Sequence, residues 1–139
     1  MILFLSILLL FLSVLHIYWA LGGLWPGKTK QDLIDKVFGR GERFPSMFAC
    51  LVVALGLFLA AVAPLLWRNR EALLFNHMMN VVLEAFCFFL AFVFLIRGIF
   101  GYLPYVTKYW NPTFVYYTKR IYNPISILIG CGFLFLLFA

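Results

Sequence analysis

Acidic residues are scarce in this 139-residue chain, with five Asp and Glu against eleven Lys and Arg. Charged residues of both signs make up only 12% of it, about half the share found in soluble domains. No polar stretch exceeds about 20 residues, which leaves no room for a separate soluble domain. Cys50, Cys87 and Cys131 are isolated, without a C-x-x-C pair or metal-ligand spacing, so small apolar packing is their expected role. Phosphate loop, dinucleotide fingerprint, H-E-x-x-H and nucleophile elbow are all missing. These absences point to no catalytic residue, no metal and no cofactor, and leave enzymatic activity without a motif to support it.

What the chain has instead is apolar length. Hydrophobic residues make up 65% and aromatics 20% of it. They fall into long runs over about 2–25, 45–67, 72–102 and 119–139, and a helix needs roughly 20 such residues to cross about 30 Å of hydrocarbon. A soluble fold of this size could not bury so much. The expected fold is therefore all-α: one transmembrane domain, an integral membrane four-helix bundle in the lipid bilayer. The first run lacks a basic n-region and is longer than a signal-peptide core, so it is expected to stay as a span. The third is too long for a straight perpendicular span and should tilt or project.

The positive charge sits in the connections. Lys28, Lys30, Lys36, Arg40 and Arg43 occupy the first, and Lys108, Lys119 and Arg120 flank the third, while the second has only Arg68 and Arg70. By the positive-inside rule the first and third loops are expected in the cytoplasm and both termini outside, in an inner (cytoplasmic) membrane. The charge therefore reports topology and attraction to anionic headgroups rather than a nucleic-acid partner.

Within the first loop, Thr29-Lys30-Gln31-Asp32 resembles a capping box with Asp in place of Glu or Gln. Leu33, Ile34, Val37 and Phe38 then share a face and Gly39 offers a stop, which predicts a short interfacial amphipathic helix over about 30–38. In the third loop Tyr105, Tyr109, Trp110, Tyr116 and Tyr117 form an aromatic belt. Asn111-Pro112 reads as an N-cap followed by Pro at the first helical position, and a helix starting there runs into Pro124 and should kink.

Small and polar residues fall in stripes at helical spacing. Ser6, Ser13, His16, Ala20 and Gly23 share an arc of about 100° on the first span. Pro45, Ala49, Gly56, Ala60 and Ala63 share one on the second, with Leu57 facing lipid. Asn76, Asn80, Glu84, Cys87, Ala91 and Gly98 do so on the third, and Asn123, Ser126 and Gly130 on the fourth. Membrane helices meet through small residues, so these stripes predict inward faces, with Gly22, Gly23, Gly56, Ala60 and Gly130 as packing positions.

Ionisable groups inside spans are costly and need a partner or a role. His16 lies roughly 13 Å from the cytoplasmic end of its run, Glu84 roughly 24 Å and Arg97 about 5 Å. Arg97 is expected to snorkel to the interface. Glu84 is expected inside the bundle with Asn80 one turn away as a hydrogen-bond partner, either as a relay or ligand-binding carboxyl or as a packing device. His77, the other histidine, lies about 20 Å from His16 in depth, so the two cannot ligate one haem.

The segment His16-Ile17-Tyr18-Trp19-Ala20-Leu21-Gly22-Gly23-Leu24-Trp25-Pro26 resembles the H-x-Y-W-A-x-G-G-x-W/P signature of small bacterial membrane proteins catalogued as domain of unknown function 3995. Lys119-Arg120-Ile121-Tyr122-Asn123-Pro124-Ile125 with Gly130 is similar to the family's late R-x-Y-S/N-P-L…G element, with Asn123 where Ser is more usual. The resemblance implies a four-span membrane protein and no particular activity. It marks His16, Tyr18, Trp19, Gly22, Gly23, Tyr122 and Pro124 as motif positions, and the candidate binding residues are His16, Tyr18, Trp19, Tyr122 and Asn123, with Asn80 and Glu84 from within the third span. Three classes of function remain open. The favoured one is a non-catalytic membrane component, accessory or protective, acting on a membrane-protein partner or a second copy. The others are a lipid-, quinone- or proton-binding protein with a site near His16, and a small transporter working as a homo-oligomer.

Overall fold

The computed structural model describes residues 1–41 and 43–139. It is all helical, with helices long and apolar enough to cross a membrane at Ile2–Ala20 (α1), Met47–Asn69 (α3) and His77–Phe100 (α4) and along Pro112–Phe138. The last is assembled from α6 (Pro112–Tyr117), a π-helical turn (Thr118–Tyr122) and α7 (Asn123–Phe138). A short α2 (Lys30–Val37) lies in the first connection and one turn, α5 (Pro104–Thr107), in the third.

The helix ends follow from local chemistry. The first apolar run extends to Trp25, but α1 stops at Ala20. There Gly22, at φ +93°, donates to the Trp19 carbonyl and Gly23 to the Tyr18 carbonyl, a Schellman motif. Asn76 caps the Met79 N–H at 2.9 Å, so α4 begins at His77 rather than inside the run from Ala72. Residues 72–76 form the turn ahead of it, so α4 is shorter than the apolar run. Asn111 caps the Thr113 N–H at 2.8 Å with Pro112 behind it. Pro124 has no N–H to return to the preceding turn. The expected distortion takes the form of the π-helical turn, closed by the Asn123 N–H on the Thr118 carbonyl.

The spans associate as two pairs. α1 packs along α3, and the buried Ser13 hydroxyl donates to the Ala54 carbonyl at 2.7 Å between them. α4 packs along α7 through glycines. A Cβ at Gly98 would lie 3.1 Å from both the Asn123 carbonyl and the Ile127 N–H, and one at Gly130 would lie 3.0 Å from the Leu95 N–H. Close backbone approach of this kind needs residues without side chains.

The pairs join in the half of the bundle away from α2. Leu5 and Leu9 of α1, Ala60 and Ala63 of α3, Leu83, Cys87 and Leu90 of α4, and Ile129 and Phe133 of α7 form one core there. In the other half the pairs part. Gly56, expected at a packing position, is exposed, with nothing within 4 Å of the place a Cβ would take. Its stripe is covered at Ala60 and Ala63 and open at Gly56. Glu84, expected inside, is also exposed and makes no hydrogen bond to Asn80. The contact face of α4 is centred on Leu83, Cys87 and Leu90, and Glu84, about 100° from Leu83, falls on its flank.

Candidate functional site

Where the pairs part they enclose a cleft of about 600 Å³, within the range of small-molecule sites. Its deeper walls are apolar, with Leu12 from α1, Leu57 from α3, Phe94 from α4 and Ile129 from α7. Leu57 thus lines the cleft rather than facing lipid. The end nearer α2 carries His16, Trp19, Arg97, Trp110, Tyr122 and Ser126.

These groups are held by the elements that close that end. Thr29 caps the Asp32 N–H at 3.1 Å, and the Asp32 carboxylate accepts from the Lys28 N–H at 2.8 Å. This is the expected capping box with the shorter acid reaching one residue further back. Asp32 also pairs with Lys36 at 2.9 Å, one helical turn on. The Lys28 N–H and then the Lys36 ammonium hold the Asp32 carboxyl below its ordinary range, and Asp32 raises Lys36. The opposite face of α2 buries Leu33 and Ile34 completely. Three bonds tie α2 and its end to the last span: Tyr122 hydroxyl to Lys36 carbonyl at 2.7 Å, Asn111 amide to Asp35 carboxylate at 3.2 Å, and Asn111 N–H to Gly39 carbonyl at 2.9 Å.

His16 donates from Nδ1 to the Leu12 carbonyl at 2.7 Å, since a carbonyl can only accept. In the neutral ring Nε2 is then an acceptor. The ring stands edge-on to Trp19 at 4.9 Å between centroids. Trp19 is buried, donates its indole N–H to the Trp25 carbonyl at 2.7 Å and meets Phe38 at 5.9 Å. On the facing pair, Trp110 meets Phe114 edge-on at 5.1 Å and Phe114 meets Tyr122 at a tilt at 6.0 Å between centroids. Arg97, expected near the cytoplasmic end of its span, is exposed and lines the cleft close to the end of α4.

Of the residues singled out in the sequence, His16, Trp19 and Tyr122 come together here. Tyr18 does not. It is exposed, its ring lies where a Cβ on Gly23 would fall, and its hydroxyl accepts from the Trp25 N–H at 3.4 Å. Gly22 and Gly23 therefore serve the end of α1 rather than a contact between helices. Asn123 is buried against Gly101, outside the cleft lining. Asn80 and Glu84 lie in the other half of the bundle, and Asn80 reaches the Phe75 carbonyl at 3.4 Å. Sequence reading missed Arg97, Trp110 and Phe38 as lining residues. Arg97 lies one turn from Phe94 and two from Leu90, on the face that α4 turns inward, and that register was the available signal.

Fold and cleft define a multi-pass α-helical membrane protein with a cleft between its two helix pairs in the half nearer α2. A family described as "Protein of unknown function (DUF3995)" matches residues 9–133, and the chain belongs to it. Both sequence motifs lie inside the matched range, and the structure gives their residues physical tasks: ending α1, seating Trp19, anchoring α2 and accommodating Pro124. No curated protein and no solved structure matches the chain.

Proposed function

We propose that this protein is a non-catalytic membrane component that binds an amphiphilic small molecule, a lipid or lipid-like compound, in the cleft between its helix pairs. The supporting observation is the arrangement of the walls: apolar side chains along roughly 6 Å of helix length, capped at one end by His16, Arg97, Trp110, Tyr122 and Ser126. The basic loops support a cytoplasmic placement of the α2 end, in an inner membrane.

A second reading rests on Gly56. Its open surface on α3 suits close approach by a span of a membrane-protein partner or of a second copy.

Native mass spectrometry of the protein extracted in mild detergent tests the first reading. The expected result is a one-to-one amphiphile adduct that Leu57→Trp removes by filling the cleft while thermal stability stays close to wild type. An adduct that survives Leu57→Trp, or none after lipid is added, would overturn it.

A further inference from the structure

We infer that the cleft selects an amphiphile with an acidic headgroup, a phosphate or carboxylate, held by the Arg97 guanidinium. This rests on the cleft being an amphiphile site and adds the chemistry of the ligand's polar end.

The first observation is charge. Among the described residues Arg97 is the only lining residue with a permanent charge, and none of the lining is a carboxylate. Among the described residues the one ion pair is Lys36–Asp32, on α2. Asp35 is occupied by Gln31 and Asn111, and Glu84 is exposed in the opposite half of the bundle. A guanidinium in a low-dielectric cleft attracts an anion far more strongly than one in water.

The second observation is the balance of donors and acceptors. The Tyr122 hydroxyl hydrogen is given to the Lys36 carbonyl and the Trp19 indole N–H to the Trp25 carbonyl, so neither is free for a ligand. The lining groups without a partner among the described residues are the Arg97 N–H groups, the Trp110 indole N–H, the Ser126 hydroxyl and the His16 Nε2, the last an acceptor. Donors dominate that set, and a ligand rich in acceptors, such as a phosphate or carboxylate, complements it.

The third observation is depth. Arg97 lies three residues before Phe100, the end of α4, roughly 5 Å from it along the axis. That is the level at which headgroups meet hydrocarbon, and Leu12, Leu57, Phe94 and Ile129 lie deeper. An acid at Arg97 therefore places an acyl tail against the apolar walls.

The test uses the full chain in detergent with three probes read by native mass spectrometry. Dioleoyl phosphatidic acid offers acid and tails, dioleoylglycerol tails only, and glycerol phosphate acid only. Phosphatidic acid is expected to bind one-to-one, at least about tenfold more tightly than dioleoylglycerol. Arg97→Gln should abolish that preference while leaving dioleoylglycerol binding unchanged, and Arg97→Lys should keep part of it. Arg120→Gln, on the exposed surface, should leave the preference intact. Equal binding of the two lipids by wild type, or a preference that persists in Arg97→Gln, overturns the inference and leaves the amphiphile site standing. Loss of the preference in Arg120→Gln as large as in Arg97→Gln overturns it in favour of surface attraction. Binding of glycerol phosphate as tight as that of phosphatidic acid overturns it in favour of a soluble anion. If no lipid adduct responds to Leu57→Trp, the underlying site falls as well.

Discussion

The Tyr122 hydroxyl donates to the Lys36 carbonyl at 2.7 Å, joining positions 86 residues apart. The bond is made where the π-helical turn ends and α7 begins, so it fixes α2 on the last span beside the mouth of the cleft. Tyr122→Phe removes the hydroxyl and leaves the ring against Phe114. The expected cost is about 0.5–1.5 kcal/mol, felt mainly by α2. Hydrogen exchange should quicken at the Leu33 and Ile34 amides and stay unchanged in the Leu83–Leu90 core. Equal acceleration in both places would show that the bond supports the whole bundle.

The anchoring of α2 should depend on pH at both extremes. Asp32 has a lowered folded-state pKa, so its contribution is present above the ordinary value of 3.8 and lost as pH falls through the folded value. Lys36 is raised, so its contribution is present below 10.5 and lost as pH rises through its folded value. Backbone chemical shifts of α2 should therefore be flat from about pH 5 to 9 and lose helical character below about pH 4. Asp32→Asn should show the weakened state at neutral pH. A variant with wild-type shifts throughout would assign no role to the carboxylate.

The fold was legible because its causes are local and periodic. Four apolar runs, a capping box, the Asn111-Pro112 start and the distortion ahead of Pro124 all depend on neighbouring residues. The cleft was only half legible, because it depends on which faces of different helices meet. A stripe rule reads small and polar residues as inward. It placed Ser13, Ala60, Asn123 and Gly130 well, since these let backbones approach. It misplaced Glu84 and Gly56, because the α4 face is centred on Leu83 and Leu90 and the α3 stripe is uncovered where the pairs part. Arg97 was read by depth alone, and its register with Leu90 and Phe94, which brings it into the cleft lining, was not used.

Glycines on the two pairs should respond oppositely to the same substitution. Gly98→Ala forces a methyl against the backbone of Asn123 and Ile127, and overpacking of that kind costs about 1–3 kcal/mol. Gly56→Ala meets nothing and gains helix propensity, so it should be neutral or stabilising by up to about 1 kcal/mol. Thermal unfolding in detergent compares them. A destabilising Gly56→Ala would point to the partner or second copy that the open surface suits.

Orientation can be tested by labelling. In a protein without native cysteines, single cysteines at Lys36 and Asn69 report opposite sides. With the basic loops in the cytoplasm, an impermeant reagent applied to intact cells should label position 69 and spare position 36. The reverse pattern would invert the proposed topology and place the cleft at the outer face.

His16 offers the sharpest division between a structural and a binding role. Its one hydrogen bond goes to the Leu12 carbonyl within its own helix, which also accepts the backbone N–H of the α-helical ladder. His16→Phe therefore leaves no buried group unpaired and preserves a ring edge-on to Trp19, so stability should fall by less than about 1 kcal/mol. The imidazole Nε2, the acceptor it presents at the polar end of the cleft, is lost. Amphiphile retention should weaken severalfold where the headgroup has a hydroxyl or protonated oxygen to donate to Nε2, and any phenotype of the deletion should reappear. Trp19→Phe is the structural counterpart. It leaves the Trp25 carbonyl without its indole donor and removes buried ring area, so membrane abundance should drop. Glu84→Gln, in the other half of the bundle, should leave retention unchanged. Measuring abundance and retention together separates the roles. A normally abundant His16→Phe protein that holds its amphiphile as tightly as wild type would reduce His16 to a wall of the cleft and leave the polar end to Arg97, Trp110 and Ser126.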